Sequence, residues 1–293
     1  MRAFEFYAAK DASDAVALLA QHGPKVKVLA GGTDLLADLK FAAASHHPQV
    51  VVDISRADDM RGIEMTDQGL RIGSLVTHTE IMRSPIIREQ LPALVDAAHT
   101  IGAVQTRNLG TLGGNLVTAV PSMDSGPTLV ALDAIVTIAG PEGKRQIPIT
   151  QFWTAPRRTV LKTSEILVEV IIPKENVGKP TQFLKFGLRK GQALALVNVA
   201  ASFWVDGNTF KAPRIGLGAV APTVVTAPSA ESFLAGKPIT PENMAEGGKL
   251  AVNDAKPIND FRASAGYRRD LIAVLTRRAL EGAYELHQKR KAN

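Results

Sequence analysis

Apolar residues recur along this chain on two periods, and the switches between them predict short strands and helices. Residues 3–7 alternate weakly, as a half-buried strand does. Asp11 then precedes a stripe of Ala15, Val16, Leu18 and Leu19, which predicts a helix capped by that aspartate and stopped by Gly23-Pro24. Val26, Val28 and Leu29 predict a buried strand that runs straight into Ala30-Gly31-Gly32-Thr33-Asp34-Leu35, and a helical stretch follows to Leu39. The run 50–54 predicts another strand, closing a small α/β unit.

From about Arg56 the pattern changes. Residues 69–75 predict a strand, Thr77 caps a short helix, and Pro92 opens another that covers 94–99. Residues 106–115 are so dense in glycine and asparagine that a loop is expected rather than a regular element. Gly126-Pro127 opens a helix at 128–132, and 134–139 and 166–172 predict buried strands, the second ending at Pro173. After a linker at 174–180, the runs 196–205 and 209 onward flank Asp206-Gly207-Asn208, a hairpin signal. A third strand is expected at 214–220, and helices at 241–252 and 264–289. The expected division is a domain over 1–175, with lobes of about 1–55 and 56–175, and a second domain over 180–293.

Composition narrows the function classes. The chain has 293 residues, and an apolar share of 45% is ordinary for a globular protein, while aromatics at 5% leave no stacking platform for nucleic acid. There is no cysteine, which excludes disulfides, thiolate metal sites, iron–sulfur clusters and cysteinyl catalysis within this chain. The start, Met1 to Phe6, meets an acid at once and has no apolar signal core, so a cytoplasmic location and no membrane span are expected. The net charge of +6 is spread out except for Arg268, Arg269, Arg277, Arg278, Lys289, Arg290 and Lys291. Those residues predict a solvated helix face, or a face for an acidic partner subunit. The six histidines form no metal-ligand or nucleophile pattern, so each is expected to be structural or exposed.

The feature that carries chemistry is a pair of diglycines, Gly31-Gly32 and Gly113-Gly114, each following apolar structure and each followed by a small polar residue, Thr33 and Asn115. Glycine permits positive φ and close approach of backbone to ligand, and successive exposed amides make a nest for phosphate oxygens. A diphosphate has oxygens enough for two nests. Either diglycine alone is equally a tight turn. Neither lies in G-x-G-x-x-G opening a helix of a βαβ unit, nor in G-x-x-x-x-G-K-[ST], so neither a dinucleotide fold of the usual doubly wound kind nor a P-loop is expected.

The motif Ala30-Gly31-Gly32-Thr33-Asp34-Leu35, with Arg107-Asn108 and Gly110-Thr111-Leu112-Gly113-Gly114-Asn115, resembles the two FAD motifs of the molybdopterin dehydrogenase flavoprotein family. That family includes the medium subunit of carbon monoxide dehydrogenase and the flavin domain of xanthine dehydrogenase. The similarity extends to Asp124, to the stretch 127–134, to Glu165-Ile166-Leu167, and to the run 216–222. The resemblance implies an α+β fold: a two-lobed FAD-binding domain of the vanillyl-alcohol oxidase/MurB (PCMH) type, then a domain of a three-stranded antiparallel sheet with helices. It implies non-covalent FAD, with Leu29, Ala30, Gly31, Gly32, Thr33, Asp34, Leu35 and Leu36 around the diphosphate and ribityl chain. Thr111, Leu112, Gly113, Gly114 and Asn115 form the second phosphate loop in that scheme. Asp124 meets polar groups of the cofactor and Ile101 makes an apolar contact, with Leu167 and Lys185 as further contacts. From the residues alone, Asp124 is equally a helix N-cap and Lys185 equally a solvated strand residue.

The resemblance further implies partners: a large molybdopterin subunit and a small subunit with 2Fe-2S clusters, assembled as a dimer of heterotrimers. Electrons would pass from those clusters through this subunit to NAD+, a quinone, oxygen or another acceptor. Two rival readings stay open, a self-contained flavin oxidase or reductase of the same fold and a non-enzymatic nucleotide-binding module. The segment 189–196, near the flavin in relatives, carries no aromatic or acidic residue here, which leaves the acceptor side unspecified.

Overall fold

A computed structural model describes residues 3–41 and 47–292; Met1 and Arg2, from which the N-terminal expectation starts, lie outside the described residues. The first unit is a parallel sheet of β1 (Glu5–Ala8), β2 (Val26–Leu29) and β3 (Val50–Asp53), in the order β1-β3-β2. Helix α1 (Ala12–His22) joins the first two strands. Asp11 caps it by accepting from the Asp14 amide at 2.8 Å, and Gly23, at φ 69°, ends it. Ala12, Ala15, Val16 and Leu19 face inward onto Val50, Val52 and Ile54. Truncating Leu19 to alanine would cost about 2–5 kcal/mol as an unfilled core cavity.

A helical stretch α2 (Leu35–Phe41) follows the first diglycine. The second unit has a five-stranded antiparallel sheet of β4 (Ile63–Thr66), β5 (Gly69–Gly73), β6 (Ile135–Gly140), β7 (Gly143–Pro148) and β10 (Ile166–Pro173), in the order β4-β5-β10-β6-β7. Between them in sequence lie α3 (His78–Arg83), α4 (Pro85–Gln90), α5 (Pro92–Thr100), α6 (Val104–Leu109), α7 (Leu112–Thr118) and α8 (Ser125–Ala131), and a small ribbon of β8 (Trp153–Ala155) with β9 (Arg158–Thr159). Strand β10 reads as an unbroken apolar run because both its faces are covered. Leu167, Val170 and Ile172 join the core under the helices, while Ile166 and Val168 join the core of the first unit.

The C-terminal unit is an antiparallel sheet of β11 (Thr181–Gly187), β12 (Ala195–Asp206), β13 (Thr209–Gly218) and the two-residue β14 (Val225–Thr226), backed by α9 (Pro228–Leu234), α10 (Pro241–Leu250) and α11 (Ala265–Ala292). The hairpin at Asp206-Gly207-Asn208 is present, with Gly207 at φ 60°. The strand expected at 214–220 is corrected: Arg214 continues β13, and the third long strand is β11, directly after the expected linker. Gly216 and Gly218 sit where α8 lies directly on the sheet, since a Cβ on Gly216 would stand 2.2 Å from the Pro127 carbonyl oxygen. All seven residues of α8 are buried as a result.

The basic face of α11 also needs correction. Arg268 is 2% exposed, and its guanidinium donates to the Leu196 carbonyl and to both Asp260 carboxylate oxygens. Arg290 donates to the carbonyls of Gly178 and Glu89, and Arg277 pairs with Glu281. Three of the basic residues therefore tie the helix to the rest of the chain or to itself. Among the described residues no helix is long and apolar enough to cross a membrane.

Candidate functional site

The two glycine motifs meet. A Cβ added to Gly31 would stand 1.8 Å from the Leu109 carbonyl oxygen and 3.1 Å from the Gly110 Cα, so only a glycine lets the first loop rest on the second. Both motifs open onto one cavity of about 460 Å3. That volume lies in the range of small-molecule and cofactor sites. Its wall is built by all three units: Val28, Ile54 and the first diglycine; the second diglycine with Ser74, His78 and Leu167; and Gln192, Ala193 and Leu194 between β11 and β12.

The loops contribute differently. At the first, Gly32 has φ 72°, and the amides of Gly31, Gly32, Thr33, Asp34 and Leu35 donate to no acceptor among the described residues. The first amide of this segment with an internal partner is that of Leu36, which donates to the Gly32 carbonyl at 3.0 Å. An array of unengaged amides on residues that line a cavity suits an anion such as a diphosphate.

The second motif departs from expectation. Residues 106–115 are mostly helical: α6 ends at Leu109, Gly110 and Thr111 turn the chain, and α7 begins at Leu112. Thr111 overrides the weak helix propensity of glycine by capping α7, accepting from the Gly114 amide at 3.0 Å. The amides of Leu112 and Gly113 donate to the carbonyls of Val76 and Ser74, both at 2.8 Å, and that of Asn115 to Thr111 at 3.0 Å. This diglycine is therefore not an amide nest. Gly113 lacks a side chain because Ser74 fills the space, its Cβ standing 2.6 Å from where a Cβ would be. Gly114 lacks one on the cavity side, where a Cβ would meet nothing but the Thr111 hydroxyl within 4 Å. The Trp153 indole, donating to the Leu116 carbonyl at 2.9 Å, anchors the helix. Asn115 accepts from the Ser125 hydroxyl at 2.6 Å through its amide oxygen, which leaves its amide nitrogen as a donor at the wall.

At the far end Asp124 is 5% exposed and lines the cavity. It stands before α8 but caps nothing, because its carboxylate is turned to the Lys185 ammonium at 2.5 Å and accepts from the Asn198 amide at 2.9 Å. Burial pushes the carboxyl up, and Lys185 and Asn198 oppose that shift. Lys185, whose side chain is 7% exposed, is thus buried rather than solvated, and it reaches the cavity through Asp124. The pair joins the second unit to the C-terminal sheet.

Of the residues expected at the site, the cavity wall includes Ala30, Gly31, Gly32, Thr33, Asp34, Leu35, Ile101, Thr111, Gly113, Gly114, Asn115, Asp124 and Leu167. Leu29 and Leu36 instead flank Gly32, within 3.2 Å of where a Cβ would be, and Leu112 is wholly buried in the core. The structure adds His78, Ser74, Met123 and Leu161 to the wall. His78 is 2% exposed, so of the two expected states for a histidine it is not the exposed one, and burial together with the nearby Arg107 charge lowers its pKa to about 4. Its position after a capping threonine gave no sign of this. Among the described residues no cluster of side chains has the makings of a metal site.

The residues present fit a dinucleotide: free amides for a diphosphate, a side-chain-free patch at Gly114, and apolar wall residues Ile101, Met123 and Leu194. Comparison with known proteins agrees. Residues 2–175 match the family model described as the FAD binding domain in molybdopterin dehydrogenase, and residues 182–283 match that of the CO dehydrogenase flavoprotein C-terminal domain. The chain is 33% identical over 281 residues to the carbon monoxide dehydrogenase medium chain of Hydrogenophaga pseudoflava, covering 96% of this chain and 97% of that protein. It is also 33% identical over 285 residues to the putative xanthine dehydrogenase FAD-binding subunit XdhB of Escherichia coli K12, covering 95% of each. The solved carbon monoxide dehydrogenase of H. pseudoflava that lacks the Mo-pyranopterin moiety superposes with a TM-score of 0.92 at 33% identity, over 97% of this chain and 98% of the other. Quinoline 2-oxidoreductase of Pseudomonas putida 86 superposes at 0.89 with 29% identity, over the same shares.

Proposed function

This chain belongs to the FAD-binding family of the molybdopterin dehydrogenases, as an oxidoreductase subunit, and from that premise we propose that it carries one FAD non-covalently inside a molybdenum hydroxylase complex. Its partners are then a large molybdopterin subunit and a small subunit with 2Fe-2S clusters, in a dimer of heterotrimers, and it stands between those clusters and an acceptor such as NAD+, a quinone or oxygen. The absence of cysteine requires that the clusters be supplied by another chain. FAD, when bound, supplies exchange between one-electron carriers and a two-electron acceptor.

One observation carries this reading: residues 31–35, whose amides are unengaged, line the same cavity as Gly114 and Asn115. In it, those amides with the Thr33 hydroxyl bind the diphosphate, and Asn115 adds its amide nitrogen. Ile101 and Met123 keep water from the ring, while the buried Asp124–Lys185 pair fixes the seam between the second unit and the C-terminal sheet. The cavity needs no acid or base of its own, since the substrate is hydroxylated in the large subunit. Leu194, 59% exposed beside the cavity, is the apolar group on the acceptor side.

The test is spectroscopic first. Purified full-length protein given FAD should show the visible and near-ultraviolet flavin bands, and Gly32→Val should give a folded but colourless chain. Reconstitution with both partner subunits should then restore substrate oxidation. A folded preparation that takes up no flavin, or a complex equally active without this subunit, would overturn the proposal.

A further inference from the structure

His78 has no task in the site as described so far, yet its surroundings give it one. It is the first residue of α3, held by its own amide, which donates to the Gly110 carbonyl at 3.1 Å. Its imidazole lines the cavity while the residue is 2% exposed. Neither ring nitrogen hydrogen-bonds to another described residue, and Nδ1 is fully sealed from solvent without a partner. The opposite edge, formed by Cδ2 and the adjoining Nε2, faces Gly110: a Cβ there would stand 3.4 Å from Cδ2 and 3.6 Å from the Thr33 hydroxyl. A bare glycine, with the Thr106 carbonyl oxygen 2.9 Å from where its Cβ would be, thus has both an imidazole edge and a threonine hydroxyl near it, where the first loop crosses the second.

The buried imidazole is a polar group without a partner, which costs about 1–3 kcal/mol, and the exposed Thr33 hydroxyl stands near its open edge, so the two together suit a ligand atom that accepts. The second motif has already engaged the amides of Leu112, Gly113 and Gly114 internally, so side chains must supply the donors on its side of the cavity. With Nδ1 sealed, the ring proton belongs on Nε2, the nitrogen beside the open edge.

We propose that His78 is a positioning residue for the cofactor's diphosphate, donating from Nε2 to a phosphate oxygen beside the Thr33 hydroxyl. The inference rests on the FAD reading above and extends it to a residue that no glycine motif contains. Burial and the Arg107 charge keep the ring uncharged in the working pH range. The contribution is therefore a directed hydrogen bond, and it sets affinity without adding charge.

The experiment uses the full chain stripped of flavin, titrated with FAD, ADP and riboflavin and followed by flavin fluorescence or, for ADP, by competition. A hydrogen bond of about 1.4 kcal/mol corresponds to a tenfold change in Kd. His78→Leu should weaken FAD and ADP by at least that factor and leave riboflavin unchanged, and His78→Gln, whose amide nitrogen approximates Nε2, should recover most of the loss. If the wild-type chain binds no FAD, the FAD reading falls and this inference with it. If the wild type binds FAD and a folded His78→Leu binds it equally well, or loses riboflavin as strongly as ADP, this inference alone falls. Should His78→Leu fail to fold, the wild-type imidazole supplies the test. Its Nε2 nitrogen NMR signal, assigned by its loss in His78→Gln, must move when ADP binds, and an unmoved signal overturns the proposal.

Discussion

The two diglycines look alike in sequence and do opposite things. At Gly31-Gly32 the backbone is irregular, Gly32 is left-handed, and the following amides are unengaged. At Gly113-Gly114 the backbone is the first turn of a capped helix, every amide from Leu112 to Asn115 is engaged, and what glycine provides is the absence of a side chain. The first loop offers polar groups to a ligand; the second offers room. A phosphate cradle assembled from one amide-rich loop and one flat helical turn needs side-chain donors on the flat side, where Asn115 and His78 supply them, while Thr33 comes from the first loop.

The difference can be broken most forcefully at Gly31. A methyl group there collides with the Leu109 carbonyl, which is backbone and cannot swing away, so Gly31→Ala should force the loops apart. The expected cost is about 3 kcal/mol, the upper end for overpacking, together with loss of FAD. Denaturant unfolding measures the first and flavin absorbance the second; unchanged stability would mean that the loops do not touch.

Next in size is acid sensitivity at the seam between the loops. The His78 pKa is lowered from 6.5 to about 4 in the folded chain, chiefly by burial and then by the Arg107 charge, so the unfolded chain binds more protons between those values. Stability from this group is complete above pH 6.5 and falls as pH drops toward 4, by about 3 kcal/mol. Unfolding curves of the wild type and of His78→Leu, each run at pH 7 and pH 4.5, isolate it. The variant should lose less stability on acidification, and parallel losses would remove His78 from the account.

Smallest in stability, and most telling about the ligand, is Gly114→Ala. Weakening the Thr111 cap costs about 1 kcal/mol, while exchanging glycine for alanine within a helix returns a similar amount, so the melting temperature should hardly change. FAD affinity should nonetheless fall, because the new methyl group enters the cavity. Affinity equal to the wild type would show that this face of α7 is not occupied by the cofactor.

Much of the fold was legible where one residue acts locally. Asp11 and Thr77 cap the helices they precede, with Thr77 and Glu80 forming a reciprocal box, and Asp206-Gly207-Asn208 turns the hairpin. Legibility failed where tertiary contacts outvoted local preference. The glycine-rich 106–115 became two helical turns because Thr111 caps, Ser74 occupies the space beside Gly113, and Trp153 holds Leu116 from another element. Strand β7 was missed because an edge strand with exposed Lys144, Arg145 and Gln146 carries no apolar alternation. The solvated readings of Arg268 and Lys185 fail because charge in a sequence does not disclose a buried partner, here Asp260 and Asp124.

By itself the sequence determined what a residue's own covalent structure settles: where chain direction can reverse, that no thiol chemistry is available, and which motifs invite a dinucleotide. Tertiary structure decided which amides remain unengaged and which side chains face the cavity. Those facts depend on partners 30 to 80 residues away: Val76 and Ser74 taking the amides of Leu112 and Gly113, Leu109 pressing on Gly31, and Gly110 leaving His78 and Thr33 side by side. Hydrogen-bond donors are finite and local propensity does not say where they go, so the chemistry of the site is fixed when the loops meet.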